Sequence, residues 1–155
     1  MEAHSKRAVA MKITDTLVVE HRILQTLFDQ IDRLLSTAAT LGEVKMLASL
    51  MESLLEEHGD METNIAYFAF DHVLNDKSQL ARLHQEHQEI DASLREVRRA
   101  RSRAQASRLL AAAIHFSRMH MQFEEHSVFP LLESVLQHET LNELGAIREL
   151  RRAAG

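Results

Sequence analysis

From Leu17 to Leu35, apolar side chains recur at alternating steps of four and three: Leu17, Leu24, Phe28, Ile31 and Leu35, with His21 filling the remaining register position. That spacing places them on one face of an α-helix. It predicts a first helix over about 15–38, opening behind the capping candidates Thr14 and Asp15. Leu47, Met51, Leu54, His58, Met61 or Glu62, Ile65 and Phe68 repeat the stripe through a second helix of about 42–70, where Gly59 costs about 1 kcal/mol of helix propensity against alanine. Leu80, Leu83, His87, Ile90, Leu94 and Val97 mark a third helix, which follows the turn residues Asn75, Asp76 and Ser78 and ends near Arg101. Leu109, Ala113, Phe116, His120, Phe123 or Glu124, and Ser127 mark a fourth, which begins after Ser102 and should stop or kink near Pro130.

Four long helices joined by short turns predict an all-α fold, an up-down-up-down four-helix bundle whose core lies along the stripes. A shorter amphipathic tail, Leu141 to Arg152, predicts a short C-terminal helix. The expected organisation is an N-terminal extension over 1–14 and one bundle domain over 15–155, its helical tail starting at about 138.

Composition changes this picture only by exclusion. Four glycines, one proline and 45% apolar residues in 155 favour helix and starve turns and strands. The formal charge of −5 argues against nucleic acid as a partner. Six arginines, Arg95, Arg98, Arg99, Arg101, Arg103 and Arg108, read first as the solvated ends of two helices and second as a docking patch. Cysteine is absent, so disulfides and thiolate chemistry drop out and any metal must sit on nitrogen and oxygen. No secretory leader pattern and no run of roughly 18 apolar residues occurs, so a cytoplasmic protein without membrane association is expected.

The informative feature is that each of the four stripes carries one histidine in a core position: His21, His58, His87 and His120. Two stripes add a glutamate, in His58-Gly-Asp-Met-Glu62 and His120-Met-Gln-Phe-Glu124, both H-x-x-x-E. Residues i and i+4 lie about 40° and 6 Å apart on a helix, so each pair can bite one inward site. Aligning the two copies also pairs Tyr67 with Phe129 and Phe68 with Pro130, which makes helices 1 and 2 a weak repeat of helices 3 and 4. A single histidine on an apolar face is more often a hydrogen-bonded core residue than a ligand. Six polar groups in one bundle layer differ, because each would cost several kcal/mol if buried unpaired, roughly, and a metal satisfies all of them.

Four imidazoles and two carboxylates suit a dinuclear site in which each metal takes two histidines and both glutamates bridge. Iron is the favoured occupant for redox-active N/O sites with open positions; zinc and manganese are the less favoured ones. His84, one turn before His87, is the alternative helix-3 ligand. His4, His72, His115, His126 and His138 read as surface residues, as does Glu125, while Tyr67 should point to the far side of helix 2. No glutamate stands three residues before any histidine, so the ferritin-like Glu-x-x-His pattern is missing.

On these residues the chain resembles hemerythrin-like proteins of the HHE cation-binding family. The resemblance rests on His21, on His58 and Glu62 in EEHGDME, on His87 in HQEHQEID, and on His120 and Glu124 in HMQFEEHSVFP. It covers about residues 15 to 137, and the H-x-x-x-E-E-x-x-x-F-P version in helix 4 is the more specific; in helix 2, Thr63 replaces the second acid and Phe68 the proline. The resemblance implies a non-haem di-iron centre with carboxylate and oxo or hydroxo bridges, and chemistry with small diatomics or peroxide. Oxygen-carrying members use five histidines, with H-x-x-x-H on helix 3, and here no histidine is followed by another four residues later. Four histidines leave each iron a replaceable position, which favours reaction with peroxide, nitric oxide or dioxygen, as in stress response or iron-centre repair, over reversible carriage. The alternative is an iron or oxygen sensor, or an oxygen-storage module, without catalysis. Nothing in the chain resembles a flavin or iron–sulfur domain, so a separate electron donor is expected, and the chain is expected to be a monomer or homodimer.

Overall fold

The computed structural model describes residues 11–154. His4 and most of the expected N-terminal extension lie outside the described residues. The fold is the all-α bundle that the stripes predict, with five helices and no strand among the described residues. Helix α1 spans Ile13–Thr37. Helix α2 covers 41–73 as α-helix Leu41–Met61, a π-helical stretch Glu62–Tyr67 and α-helix Phe68–Val73. Helix α3 spans Ser78–Arg99. Helix α4 covers 103–135 in the same three-part form, Arg103–Phe123, then π-helical Glu124–Val128, then Phe129–Val135. The C-terminal helix α5 spans His138–Ala154.

Local chemistry sets several boundaries. Thr40 and Glu43 form a reciprocal capping box at the start of α2, and the Ser102 hydroxyl accepts from Gln105 N–H at the start of α4, each satisfying backbone donors that a helix end would leave orphaned. Asp76 Oδ1 accepts from Ser78 N–H at 2.9 Å ahead of α3. At α1 the expected caps are displaced: the helix begins two residues earlier behind Lys12, and the Thr14 hydroxyl instead donates to Glu133. Of the arginine cluster, Arg98 pairs with Glu52 at 2.8 Å, Arg99 with Glu96 at 2.8 Å, and Arg103 donates to the Ala38 carbonyl at 2.6 Å. These three serve the ends of the bundle, in keeping with solvated helix ends.

The stripes of α1 and α3 pack as predicted. In α2 and α4 the buried face departs from the predicted stripe. Phe68, expected in the core, is 63% exposed, and Phe70 is buried in its place. A π turn takes one residue more than an α turn, so the stretch Glu62–Tyr67 shifts every later residue of α2 in register. In α4 Phe116 is 50% exposed, and the buried line runs through Ala106, Leu110, Ala113, Ser117, His120 and Glu124. That line keeps the three-four spacing leading back from Glu124; small side chains occupy the face that phenylalanine was expected to fill. Pro130 does not end α4. The helix continues to Val135, and the π-helical stretch just upstream accommodates the ring and the missing N–H.

The core falls into two apolar clusters. One holds Phe28, Ile31, Met51, Leu94 and Leu110; the other holds Ile13, Leu17, Phe70, Leu83, Phe129 and Leu132. Each large aliphatic or aromatic side chain buried there contributes about 1.5–3 kcal/mol. Between the clusters lies a polar layer.

Candidate metal centre

That layer contains the histidines and glutamates of the stripes. His21, His58, His120, Glu62 and Glu124 are buried, and the His87 side chain is 22% exposed. The rings form two pairs, His21 with His58 at 5.0 Å between centroids and His87 with His120 at 4.5 Å. Glu62 joins them: Oε1 lies 3.2 Å from His21 Nε2 and 2.9 Å from His58 Nε2, and Oε2 lies 3.4 Å from His87 Nε2. Glu124 Oε2 lies 3.3 Å from His21 Nε2 and 3.5 Å from His120 Nε2. Donor atoms of His21, His58 and Glu62, and separately of Glu62, His87, His120 and Glu124, fall within 4.8 Å of one another. His84 stands outside this group; it is exposed and meets Tyr67 edge-on at 5.7 Å. His72, His115, His126 and His138 are exposed, as expected.

Three of the four imidazoles are fixed from behind by carboxylates. His58 Nδ1 donates to Glu20 at 2.9 Å, His120 Nδ1 to Glu86 at 2.7 Å and His21 Nδ1 to Glu125 at 2.8 Å. An ionised carboxylate only accepts, so Nδ1 carries the hydrogen and Nε2 is the nitrogen turned to the centre. This carboxylate–histidine arrangement orients metal-binding imidazoles and raises their basicity. Among the described residues no carboxylate lies on His87 Nδ1, and Thr63 stands where the repeat would place one.

Two expectations are corrected here. Glu125 does not face solvent, and Tyr67 does not point away from the site. The π-helical stretch beginning at Glu124 lets consecutive glutamates reach both nitrogens of His21, Glu124 on Nε2 and Glu125 on Nδ1. In α2, residues five apart would sit about 140° apart on an α-helix, but the π turn brings Tyr67 onto the face of Glu62. The Tyr67 hydroxyl donates to Glu124 and lies 3.5 Å from Glu62 Oε2. The repeat places Phe129 opposite Tyr67, and the two rings play matching parts: Tyr67 stacks on His87 at 5.8 Å and Phe129 on His21 at 5.6 Å.

Electrostatics follow from this packing. Burial opposes charge on His21, yet Glu124 and Glu62 push its pKa up to about 10. Burial likewise opposes charge on His58, but the Glu62 charge and the hydrogen bond to Glu20 raise it to about 9. Glu62 is held well below the usual carboxylate range, against its complete burial, by the histidines around it. Burial first, and then the two carboxylates, push the Tyr67 hydroxyl well above 10, so it keeps its proton. Without a cation, protons held on His21 and His58 offset the buried charge of Glu62.

The donor set fits a metal. His58 Nε2, His120 Nε2 and Glu124 Oε2 are buried without a hydrogen-bond partner; His58 Nε2 is close to Glu62 but off the line such a bond needs. Each orphaned buried atom costs about 1–3 kcal/mol, and imidazole nitrogen with carboxylate oxygen is a donor set for first-row metals. A cleft of about 300 Å³, bordered by Glu56, Gly59, Asp60, His58, His87 and His120, opens from the surface between α2, α3 and α4 to this layer.

Fold and site together describe a four-helix bundle whose core layer gathers histidines and glutamates that could hold a metal. The description "Hemerythrin HHE cation binding domain" matches residues 12–132, and the chain belongs to that family. No curated protein and no solved structure matches the chain.

Sequence reasoning missed Glu20, Glu86, Glu125 and Tyr67. One signal was present: the dipeptides Glu20-His21 and Glu86-His87 repeat on α1 and α3, and each glutamate serves the histidine of the following helix.

Proposed function

We propose that the protein holds two iron ions on His21, His58, His87 and His120, with Glu62 and Glu124 shared between them, and reacts with peroxide, nitric oxide or dioxygen. The observation that carries this reading is the position of Glu62, whose two oxygens face the two histidine pairs separately. Bound iron would supply one-electron redox chemistry and replaceable coordination positions. The residues do the rest. Glu20, Glu86 and Glu125 hold three imidazoles with Nε2 inward, Tyr67 keeps a proton on its hydroxyl beside both shared carboxylates, and Phe129 and Tyr67 wall the layer from the apolar cluster beyond. The cleft reaches His58, His87 and His120, so a small molecule can approach on that side. Electrons would come from a separate donor, in a role within stress response or iron-centre repair in the cytoplasm.

Anaerobic loading with ferrous iron, followed by metal analysis and absorption spectra before and after peroxide and nitric oxide, tests the reading. Two iron ions per chain and decay of peroxide or nitric oxide above the rate in buffer are expected. Iron-loaded protein that leaves both at the buffer rate would sink the reactive part; tight iron binding with inert chemistry would favour a sensor.

A further inference from the structure

We infer that Arg148, on the C-terminal helix α5, is a positioning residue for the His21–His58 half of the metal site, acting through Glu20. This rests on the two-ion reading above. The two halves of the layer differ at Glu125 against Thr63 and at Phe129 against Tyr67, but they share one device. Glu20 and Glu86 each precede the histidine of their own helix and each fix the histidine of the next, His58 and His120. Each spends its other oxygen on an arginine. Arg82 Nε donates to Glu86 Oε1 at 2.6 Å, and Arg148 Nε donates to Glu20 Oε1 at 2.7 Å with its Nη2 also 2.7 Å from that oxygen.

The two arginines differ in origin and in burial. Arg82 lies one turn before Glu86 on the same helix, and its side chain is 53% exposed. Arg148 comes from 128 residues away in sequence and is 4% exposed. A solvent-facing pair of the first kind contributes little, because water and salt replace it readily. A buried pair of the second kind leaves an uncompensated carboxylate when its cation is removed. Glu20 would then be free to turn from His58 toward water, and the ring it holds would lose its fixed orientation. The helix that supplies Arg148 lies beyond residue 132, where the family match ends. The arginine behind His120 therefore comes from within the bundle, and the arginine behind His58 comes from the added helix.

The test uses the full chain, wild type and with Arg148→Ala, Arg148→Lys or Arg82→Ala, titrated anaerobically with cobalt(II) against a competing chelator and followed by visible absorption. Wild type is expected to take up two equivalents. Arg148→Ala should weaken one of them about 10- to 100-fold, the usual effect of losing an outer-shell partner, and leave the other unchanged; Arg148→Lys should recover much of the loss, and Arg82→Ala should do less. On a His58→Ala background, Arg148→Ala should add nothing to the loss. Equal weakening of both equivalents alongside a lower melting temperature would make Arg148 merely structural and overturn the inference, as would unchanged binding. A wild-type chain that takes up no cobalt overturns the metal reading itself, which keeps the two failures apart.

Discussion

Glu125 and His126 are neighbours in sequence with opposite roles. Glu125 accepts from His21 Nδ1 inside the bundle, while His126 is exposed and hydrogen-bonds only to the carbonyl one turn back. Glu125→Ala is expected to weaken metal binding about 10- to 100-fold, and His126→Ala to leave it unchanged; equal metal titrations for the two variants would remove Glu125 from the site. Tyr67 makes a different prediction. Its hydroxyl donates between two carboxylates that a cation would otherwise neutralise, so it matters most when no cation is present. Tyr67→Phe should cost about 1.5–3 kcal/mol in the chelated protein, the range for hydrogen bonds to charged groups, and less in the metal-loaded one. Urea unfolding with and without metal reads the difference, and an equal loss in both states would contradict it. The histidines were legible because a polar residue in an apolar register stands out. Glu20, Glu86 and Glu125 were not, because a carboxylate aimed across to a neighbouring helix has the same sequence pattern as one aimed at water.

At the scale of elements, the apolar stripes of α1 and α3 were legible, since both keep the α period from end to end, while the start of α1 was not, because Thr14 serves Glu133 rather than capping the helix. The second halves of α2 and α4 were not, because nothing in the apolar pattern marks where one extra residue enters a turn. That single residue exposes Phe68, buries Phe70, and brings both Tyr67 and Glu125 to the site. Helix α5 was seen as an amphipathic tail, but its seating depends on a close approach. A Cβ on Gly145 would stand 1.9 Å from the Met11 carbonyl oxygen, which is backbone and cannot step aside cheaply. Gly145→Ala should therefore destabilise the fold by about 1–3 kcal/mol, as overpacking does. Gly59 supplies the contrast, since a Cβ there meets only the His87 ring at 3.5 Å, an ordinary contact. Gly59→Ala should add up to about 1 kcal/mol from helix propensity. Thermal melts of the two variants moving in the same direction would refute the pair of predictions.

At the scale of the whole molecule, the polar layer divides the core, and the way it is neutralised decides what metal removal does. The apolar clusters on either side bury Phe28, Met51 and Leu94 on one side and Phe70, Leu83 and Leu132 on the other, and neither depends on a cation. In the chelated protein, the raised pKa values of His21 and His58 keep protons beside the Glu62 carboxylate, so the bundle should stay helical. A metal bound to the folded layer and not to the unfolded chain would displace those protons and add about 2.7 kcal/mol per site when free metal is a hundredfold above its dissociation constant. Two sites would add about twice that, and for a chain of this size each kcal/mol moves the melting temperature by roughly 2–4 °C. Chelation is thus expected to leave the far-ultraviolet circular dichroism nearly unchanged while lowering the melting temperature by roughly 10–20 °C, recovered on adding metal back. A melting temperature indifferent to metal would mean that no cation binds the folded layer. Loss of helix on chelation would mean that the two apolar clusters cannot hold the bundle without it.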